Sequence, residues 1–447
     1  MSKDIILHNI RDWSKIDERE SFWGKVDLLT PNTNFGIHRY SSALWTSGQV
    51  GVGRLFDREG MPIQDNGKDH VLVVTSSYDL NPWLMLESVL LDDEYEAYLA
   101  ELEKDGRYLF RIFYDQPVIR LPHGFGADAE TLFALSFASS CYALCKKGLK
   151  KSLIHYADNF TAKLRGKVDV SRNIKHNSAK GRSDRFFCRY IDFTEDNIEN
   201  RIIKAALIKC KEIIRHRFQE DTSIRKKVLF CLNSLRHVKD TSVTNSDFNS
   251  AEVSGLYSYY KPVLQQARAI LGFKFQSYSD APVGTEERPV YTIPFVINME
   301  TLFEYYARTV LKRTFSEDCY RIEKYSRKLF LQRDVYAPES SERGIHLMPF
   351  CIPDIIVLRN ETPALVIDAK YKVSGRPDRA DSHQLLAYVL LTGVDRCAFI
   401  LPNTETKIRE METTGDQFLT LASQNIRYYE MLLGHDYDPN TLKSVLM

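Results

Sequence analysis

The sequence predicts an α+β protein of several domains, and three observations support this. The chain has 447 residues, which is enough for more than one hydrophobic core. Hydrophobic residues make up 44% and charged residues 27%, a composition typical of globular proteins. Strand-like and helix-like patterns are segregated along the chain. We predict a β-rich N-terminal domain (1–125), a helical middle region (126–285) and an α/β C-terminal domain (286–447).

The first region has short apolar runs separated by Gly, Asn, Asp and Pro, which favour turns. The clearest strand-like runs lie at 70–77, 107–115 and 117–122. These runs predict a sheet in this part of the chain.

Three glycines of this region, Gly48, Gly51 and Gly53, invite comparison with a phosphate-binding loop. Their spacing matches neither the dinucleotide-binding fingerprint nor the Walker A motif, and strand-like sequence surrounds them. We interpret them as bends in a sheet. No Walker A motif occurs elsewhere, so we expect this chain itself to bind no nucleotide.

The middle region is expected to be mainly helical. Between residues 200 and 218, apolar side chains recur at helical spacing, at Ile203, Leu207, Cys210 and Ile214. Acidic and amide residues just before this stripe are suited to cap a helix.

The last region alternates helices and strands. Helical periodicity covers 298–313 and 381–391. Short apolar runs predict strands at 327–336, 355–358, 364–367 and 396–402. We therefore predict a mixed central sheet flanked by helices.

The most informative residues lie in the segment PDIIVLRNETPALVIDAK (353–370). Asp354 begins one predicted strand, and Asp368 and Lys370 follow the next. Because side chains alternate along a strand, Asp368 and Lys370 project to the same side. A tight turn between the strands would bring Asp354 to the same point. The alternative is a polar strand end with a solvated salt bridge.

Two carboxylates and a lysine at one point are suited to phosphodiester hydrolysis. Asp354 and Asp368 can hold Mg²⁺, which lowers the pKa of the attacking water and neutralises charge on the phosphate. Lys370 can orient or help deprotonate that water and stabilise the transition state. We expect Mg²⁺ as the cofactor, with Mn²⁺ as an alternative.

The flanking helices add three polar residues. Glu304 lies at the edge of the apolar face of the helix over 298–313, where it can reach the metal site or point to solvent. Gln384 and Tyr388 are four residues apart and so share one helix face. They either assist the site or pack the helix on the sheet.

In this order of elements, segment 298–402 resembles the PD-(D/E)-x-K nuclease superfamily, in the branch whose later helix carries Q-x-x-x-Y. The resemblance implies a catalytic set with Glu304 as a third metal ligand and two auxiliary residues. These are Glu304, Asp354, Asp368 and Lys370, assisted by Gln384 and Tyr388.

Four segments narrow the resemblance to the McrC family, the nuclease subunits of McrBC-type restriction systems, which are modification-dependent and specific for 5-methylcytosine. They lie at 164–177, 186–207, 260–271 and 298–311. The resemblance implies an endonuclease for double-stranded DNA that docks through its N-terminal domain (1–125) on a hexameric AAA+ GTPase or ATPase of McrB type and stimulates it. Transient pairing of two nuclease domains would break both strands.

Basic residues suggest where partners bind. Eight Lys or Arg against two Asp lie between 163 and 185, and Arg165 and Arg172 are candidates for contact with the partner ring. A charge run is more often a solvated face. Near the catalytic strand, three further residues are candidates for DNA binding. They are Lys372, Arg376 and Arg379.

Composition sets further expectations. The net charge of +1 argues against a protein that coats nucleic acid by bulk electrostatics. The N-terminus lacks an apolar signal core, and no run approaches the ~18 apolar residues of a membrane helix, so we expect a cytoplasmic protein without a membrane partner. The eight cysteines are scattered, as expected for reduced core thiols rather than an iron–sulfur site.

Three functions remain open from the sequence. The first is the Mg²⁺-dependent DNA endonuclease subunit just described. The second is a non-catalytic adaptor that activates an AAA+ motor and keeps a nuclease fold as a scaffold. The third is a stand-alone repair nuclease, for which the large middle region has no obvious use. The intact set of Asp354, Asp368 and Lys370 favours the first.

Overall fold

The structure is a computed structural model of the full chain. The residues that it describes are 5–28, 32–78, 80–121, 127–217, 222–251, 253, 255–272, 290–316, 319–323, 353–372, 377–410, 420–421 and 424–446. The predicted strand over 327–336 and the candidate Arg376 lie outside the described residues.

The chain contains strands and helices in alternation. In chain order, the strands are β1 (Ile5–Arg11), β2 (His38–Tyr40), β3 (Ala43–Trp45), β4 (Gln49–Arg54), β5 (Gln64–Asp65), β6 (Lys68–Thr75), β7 (Phe110–Ile112), β8 (Ile119–Leu121), β9 (Ser152–Thr161), β10 (Lys167–Val168), β11 (Arg185–Thr194), β12 (Val290–Thr292), β13 (Phe295–Asn298), β14 (Tyr320–Glu323), β15 (Ile355–Arg359), β16 (Thr362–Ala369), β17 (Arg396–Pro402), β18 (Lys407–Glu410), β19 (Thr420–Leu421), β20 (Gln424–Asn425) and β21 (Arg427–Leu433). The helices are α1 (Pro82–Leu90), α2 (Tyr95–Lys104), α3 (Ala127–Lys147), α4 (Val170–His176), α5 (Ile198–Arg217), α6 (Ser223–Ser234), α7 (Asn245–Ser250), α8 (Tyr260–Ile270), α9 (Met299–Thr314), α10 (Arg379–Thr392) and α11 (Pro439–Lys443).

The chain divides into two compact units. Residues 2–119 and 293–447 form one, which we call the composite unit, and residues 120–292 form the other, the central unit. The predicted boundaries near 125 and 285 lie close to these divisions. The predicted first and third regions, however, share one unit. The reason is strand pairing, because β13 inserts between β4 and β7 as an antiparallel neighbour of both.

The first sheet of the composite unit has the order β1-β6-β4-β13-β7, with β5 paired to β6. Strand β1 runs parallel to β6, and the other pairs are antiparallel. A Cβ on Gly51 would lie 2.1 Å from the carbonyl oxygen of Phe295, so the glycine permits β13 to approach. The core beside this sheet is mostly aliphatic and also contains Phe22, Trp23 and Phe35.

The second sheet has the order β14-β15-β16-β17-β21-β18 and is mixed, as predicted. Strand β16 is antiparallel to β15 and parallel to β17. The hairpin between β15 and β16 turns through Asn360 and Glu361, both with positive φ (50° and 63°), which matches the twist of the strands. Helix α10 packs on β16 and β17 over a core that includes Ile356, Leu385 and Phe399.

Helix α9 links the two sheets of this unit. Asn298 caps it by accepting a hydrogen bond from the Thr301 backbone N–H. The helix is buried around most of its circumference and contacts α1, α11, β13, β14 and β16. This position brings its polar residues next to the hairpin β15–β16.

The central unit is built mainly of helices, with one small sheet. Helix α3 packs against α5, α6 and α8. The sheet has the order β10-β11-β9, in which β9 and β11 pair antiparallel over ten residues each. The seven cysteines that the structure describes are free thiols, and Cys141, Cys210 and Cys231 are buried in this unit.

None of the helices in the described ranges combines the length and the apolar character needed to cross a bilayer.

Candidate active site

The ends of β15 and β16 bring the two predicted aspartates together. Antiparallel pairing places Ile355 opposite Ile367, so Asp354 and Asp368, each one residue further along, are neighbours. The backbone N–H of Ala369 donates a hydrogen bond to Asp354 Oδ2 at 3.0 Å. This bond fixes the Asp354 carboxylate against the β16 backbone.

Lys370 follows β16 directly and joins this pair. Its ammonium nitrogen lies 2.9 Å from Asp368 Oδ2. The Asp368 side chain is fully buried, whereas Lys370 retains 19% of its side-chain exposure. Asp368 therefore lies behind Lys370, and the lysine and Asp354 face outward.

Burial and mutual repulsion shift the pKa values of the aspartates. Burial, and then the negative charge of Asp368, raise the pKa of Asp354 to about 7. Burial also raises the pKa of Asp368, although the Lys370 ammonium opposes this. Burial, the largest single influence, would lower the pKa of Lys370, but the carboxylates of Asp368, Asp354 and Asp381 together outweigh it and the pKa is raised. The positive charge near the two carboxylates thus does not offset their burial and mutual repulsion.

Asp354 and Lys370 open onto a cavity of about 610 Å³. All of its lining residues belong to the composite unit. The N-terminal part of that unit supplies two of them and α9 two more, and the rest come from the hairpin and α10. They are Trp13, Arg107, Glu300, Glu304, Asp354, Ala369, Lys370, Tyr371, Lys372 and Asp381.

Glu304 lines this cavity but already has a cationic neighbour. Its side chain is 9% exposed and forms a salt bridge with Arg107, whose Nη2 also donates to Thr301 Oγ1 at 3.3 Å. Glu304 therefore points to the site rather than to bulk solvent. Its role as a third metal ligand stays a prediction.

The aspartate pair fits a divalent cation. Asp368 Oδ1 is buried and accepts no hydrogen bond from any residue that the structure describes. The donors are carboxylate oxygens, which hard cations such as Mg²⁺ prefer, and their raised pKa values show the missing positive charge. Within the described ranges, no three His, Cys, Asp or Glu side chains are grouped closely enough to hold a metal. The described residues thus offer a cation two protein ligands, Asp354 and Asp368.

Gln384 and Tyr388 connect to Lys370. The Gln384 Nε2 donates to the Tyr388 hydroxyl at 2.6 Å, and Lys370 Nζ donates to Gln384 Oε1 at 3.3 Å. Tyr388 is buried in the core under α10, whereas Gln384 is exposed. Tyr388 thus packs the helix on the sheet and Gln384 contacts Lys370, while a role of either residue in assisting the site stays a prediction.

Two of the three DNA-binding candidates, Lys372 and Arg379, lie within the described residues, and their surroundings differ. Lys372 binds Asp378 and Asp381, the N-cap and N3 residues of α10. Arg379 is exposed at the start of that helix. The capping box and the cavity share Asp381, whose Oδ1 lies 3.9 Å from Lys370 Nζ. Sequence reasoning missed Asp381, although the spacing of Asp378 and Asp381 is a helix-capping signal.

The sequence also did not indicate the N-terminal wall of the cavity. Trp13 and Arg107 lie far from the hairpin in the chain, and no motif marks them. Tyr371, which follows the hairpin, connects it to the N-terminal wall because its hydroxyl donates to Asp12 Oδ2 at 2.8 Å. Asp12 is fully buried and also accepts the Ser77 N–H at 2.6 Å.

The two partner-contact candidates lie in the central unit. Arg165 pairs with Asp192 at 2.8 Å and lies over the Tyr190 ring, 4.1 Å from its centroid. Arg172 lies 3.6 Å from Asp169, which caps α4. Both arginines are about half exposed, at 42% and 52% of their side chains.

Comparisons with known proteins show the family to which the chain belongs. The model of the McrBC 5-methylcytosine restriction system component family matches residues 126–401. Among solved structures, the chain is similar to one in a half-complex of Thermococcus gammatolerans McrB AAA+ hexamers with bound McrC. The sequence identity is 16%, the TM-score is 0.39, and 97% of this chain and 95% of that chain are covered.

A chain of the Thermococcus gammatolerans McrBC complex is also similar, with 15% identity, a TM-score of 0.31, and coverage of 70% of this chain and 89% of that one. No curated protein matches significantly. The family match alone spans more than half of the 447 residues. The chain therefore belongs to the McrBC 5-methylcytosine restriction system component family, which confirms the resemblance that its motifs predicted.

Proposed function

We propose that this protein is the Mg²⁺-dependent DNA endonuclease subunit of a modification-dependent restriction complex, with a PD-(D/E)-x-K catalytic domain. The observation that carries the proposal is the junction of Asp354, Asp368 and Lys370 at one edge of a mixed sheet, facing a cavity. Membership of a restriction-system family supports it. A scaffold without catalysis has no need for two mutually repelling carboxylates beside a lysine.

In this proposal, Asp354 and Asp368 hold the cation, which when bound activates water and offsets charge on the phosphate. Lys370 contacts Asp368 and Gln384, so its ammonium has a defined direction towards the cavity. It orients or helps deprotonate the attacking water and stabilises the charge that develops on the phosphate in the transition state. Glu304 is the third acidic residue of the site, as ligand or as partner of the metal's water.

The partner in this proposal is a hexameric AAA+ GTPase or ATPase of McrB type. The sequence contains no Walker A motif, which is consistent with an external NTPase. The central unit carries the candidate contact surface, with Arg165 and Arg172 on or beside the sheet β10-β11-β9. Leu153 and Phe193 are cross-strand neighbours on that sheet and are 67% and 62% exposed, as expected of a surface that a partner covers.

The test is to purify the chain with and without the AAA+ protein encoded beside it. Cleavage of methylated and unmethylated double-stranded DNA is then measured with Mg²⁺ and GTP or ATP. We expect cleavage only by the complete mixture. Asp368→Asn should abolish it, whereas Asp395→Asn, an exposed aspartate of the same unit, should not.

Two outcomes would contradict the proposal. Cleavage that persists in Asp368→Asn and Lys370→Met excludes this active site. Efficient cleavage by the chain alone, without nucleotide, excludes the dependence on a partner. Stimulation of the partner's NTPase without any DNA cleavage would instead support an adaptor.

A further inference from the structure

Trp13 has an unusual conformation at the edge of the candidate active site. Its φ is 52°, in the left-handed region that bulky residues rarely adopt. The ring borders the cavity, whereas the indole N–H is buried and has no hydrogen-bond partner among the residues that the structure describes. Strained backbone of this kind concentrates where a side chain must be held for function.

The surroundings of Trp13 hold it in place. The preceding residue, Asp12, is anchored by Ser77 and Tyr371. A Cβ on Gly48 would lie 3.1 Å from the indole nitrogen and 3.3 Å from Glu300 Cγ, so even one added carbon would crowd the ring. The indole is therefore wedged between the N-terminal sheet and α9.

Arg107 borders the same cavity on this side. Its contacts with Glu304 and Thr301 both use Nη2, and the side chain is 33% exposed. A guanidinium held from one end presents its other donors in a fixed direction, which suits bidentate binding of a phosphate.

The size of the cavity suggests what these two residues bind. A volume of about 610 Å³ exceeds the space needed for a metal ion and one phosphate group and lies in the range typical of small-molecule sites. An aromatic ring stacks on any nucleobase, and an arginine beside it binds the attached phosphate. We propose that Trp13 and Arg107 form a subsite for the DNA nucleotide next to the cleaved phosphodiester. This inference rests on the proposed function, since it assumes that the neighbouring aspartates act on DNA.

The test measures DNA binding without cleavage. The full chain carries Asp368→Asn, and fluorescence anisotropy reports its affinity for a labelled short duplex and for the single strand of the same sequence. Trp13→Ala should weaken binding about 5- to 100-fold, the effect of losing one base–aromatic stack. Trp13→Phe should retain affinity within about threefold, because the ring remains. Arg107→Ala should weaken binding and lower the salt slope by about one.

The matched control is Trp45→Ala. Trp45 is a half-buried tryptophan of the same unit, but it does not line the cavity. Its loss should leave the affinity unchanged. A second readout is tryptophan emission: saturating DNA should quench part of it, and Trp13→Phe should remove that part.

Different results test the subsite and the proposed function. Equal affinities of Trp13→Ala and its parent, or no DNA binding by the parent, overturn the subsite. If Trp13→Ala lowers the melting temperature, the tryptophan emission of Trp13→Phe replaces the affinity comparison. Quenching by DNA that is the same in Trp13→Phe as in its parent overturns the subsite. Failure of the unaltered complex to cleave DNA rejects the proposed function but leaves these binding results readable.

Discussion

The two walls of the cavity differ in how the chain builds them. The catalytic wall comes from one hairpin, in which Asp354, Asp368 and Lys370 lie within 17 residues and meet through local strand pairing. The N-terminal wall comes from Trp13 and Arg107, which reach the site only through long-range packing. Local pairing thus places the groups suited to chemistry, and tertiary packing places the groups suited to binding.

Because of this difference, mutations can test the contributions of the two walls to cleavage and to DNA binding separately. Variants of the catalytic wall should remove the reaction while leaving DNA affinity largely intact. Variants of the N-terminal wall should weaken affinity and leave the chemical step largely intact. The following predictions test that division, beginning with the largest effect.

The largest effect is expected at the lysine and the buried aspartate. Lys370→Met or Asp368→Asn should lower the cleavage rate of the assembled complex by about 10³-fold or more, because each removes charge that acts on the transition state. DNA affinity should change by less than about threefold. Single-turnover cleavage and anisotropy measure the two quantities, with Asp395→Asn as the control. A parallel loss of affinity and rate would remove the distinction between the walls.

The next effect is expected at Glu304, where the two walls meet. Glu304→Gln should raise the Mg²⁺ concentration for half-maximal cleavage about 10- to 100-fold, whether the residue binds the metal or its water. Glu300→Gln is the matched control, since Glu300 lies one turn earlier on α9 and lines the same cavity. An Mg²⁺ titration that is identical for Glu304→Gln and the unaltered chain would place Glu304 in the binding wall, as an anchor for Arg107.

A pH effect follows from the raised pKa of Asp354 in the metal-free protein. The carboxyl ionises near 3.8 in the unfolded chain and at about 7 in the fold. Between these values the folded state binds more protons than the unfolded state. The stabilisation is therefore fully present below about 3.8 and is lost as pH rises through about 7.

In chelator, the stability should accordingly fall by on the order of 2 kcal/mol between about pH 5 and about pH 8. Asp354→Asn should flatten this profile, and Mg²⁺ should restore stability at the higher pH. Thermal unfolding followed by circular dichroism measures all three. A flat profile for the unaltered chain would show that burial and the charge of Asp368 do not raise the pKa of Asp354 in the fold.

The smallest effect is expected at Gln384, which contacts Lys370 without belonging to either wall. Gln384→Ala should slow cleavage about two- to fivefold, the size expected for loss of one hydrogen bond to a charged group that keeps its main partner. Tyr388→Phe keeps the buried ring and removes the hydroxyl that Gln384 contacts. Similar modest losses in both variants, measured in single turnover, would assign Gln384 to positioning of the lysine.

The strands and helices of the last region were predictable because their periodicity is local. The predicted strands at 355–358 and 364–367 correspond to β15 and β16, and the predicted helix over 298–313 corresponds to α9 with a shift of one residue. The strands on either side of the basic residues at 163–185 were harder to predict. The sequence there predicts mainly helices, whereas β9 and β11 form a long antiparallel pair with several exposed apolar residues. Apolar and polar residues do not alternate regularly along either strand, and that alternation is the sequence signal from which a strand is usually inferred.

By itself, the sequence determined the candidate reacting groups and the family. The acidic residues, the lysine and the hairpin that joins them lie close together in the chain, so spacing alone was enough to place them side by side. Only the tertiary structure decided what surrounds them. Insertion of β13 between β4 and β7 brings the N-terminal region into the unit of the active site. The salt bridge of Arg107 with Glu304 and the position of Trp13 follow from that packing, because contacts between residues far apart in the chain depend on how sheets and helices meet, which local periodicity does not encode.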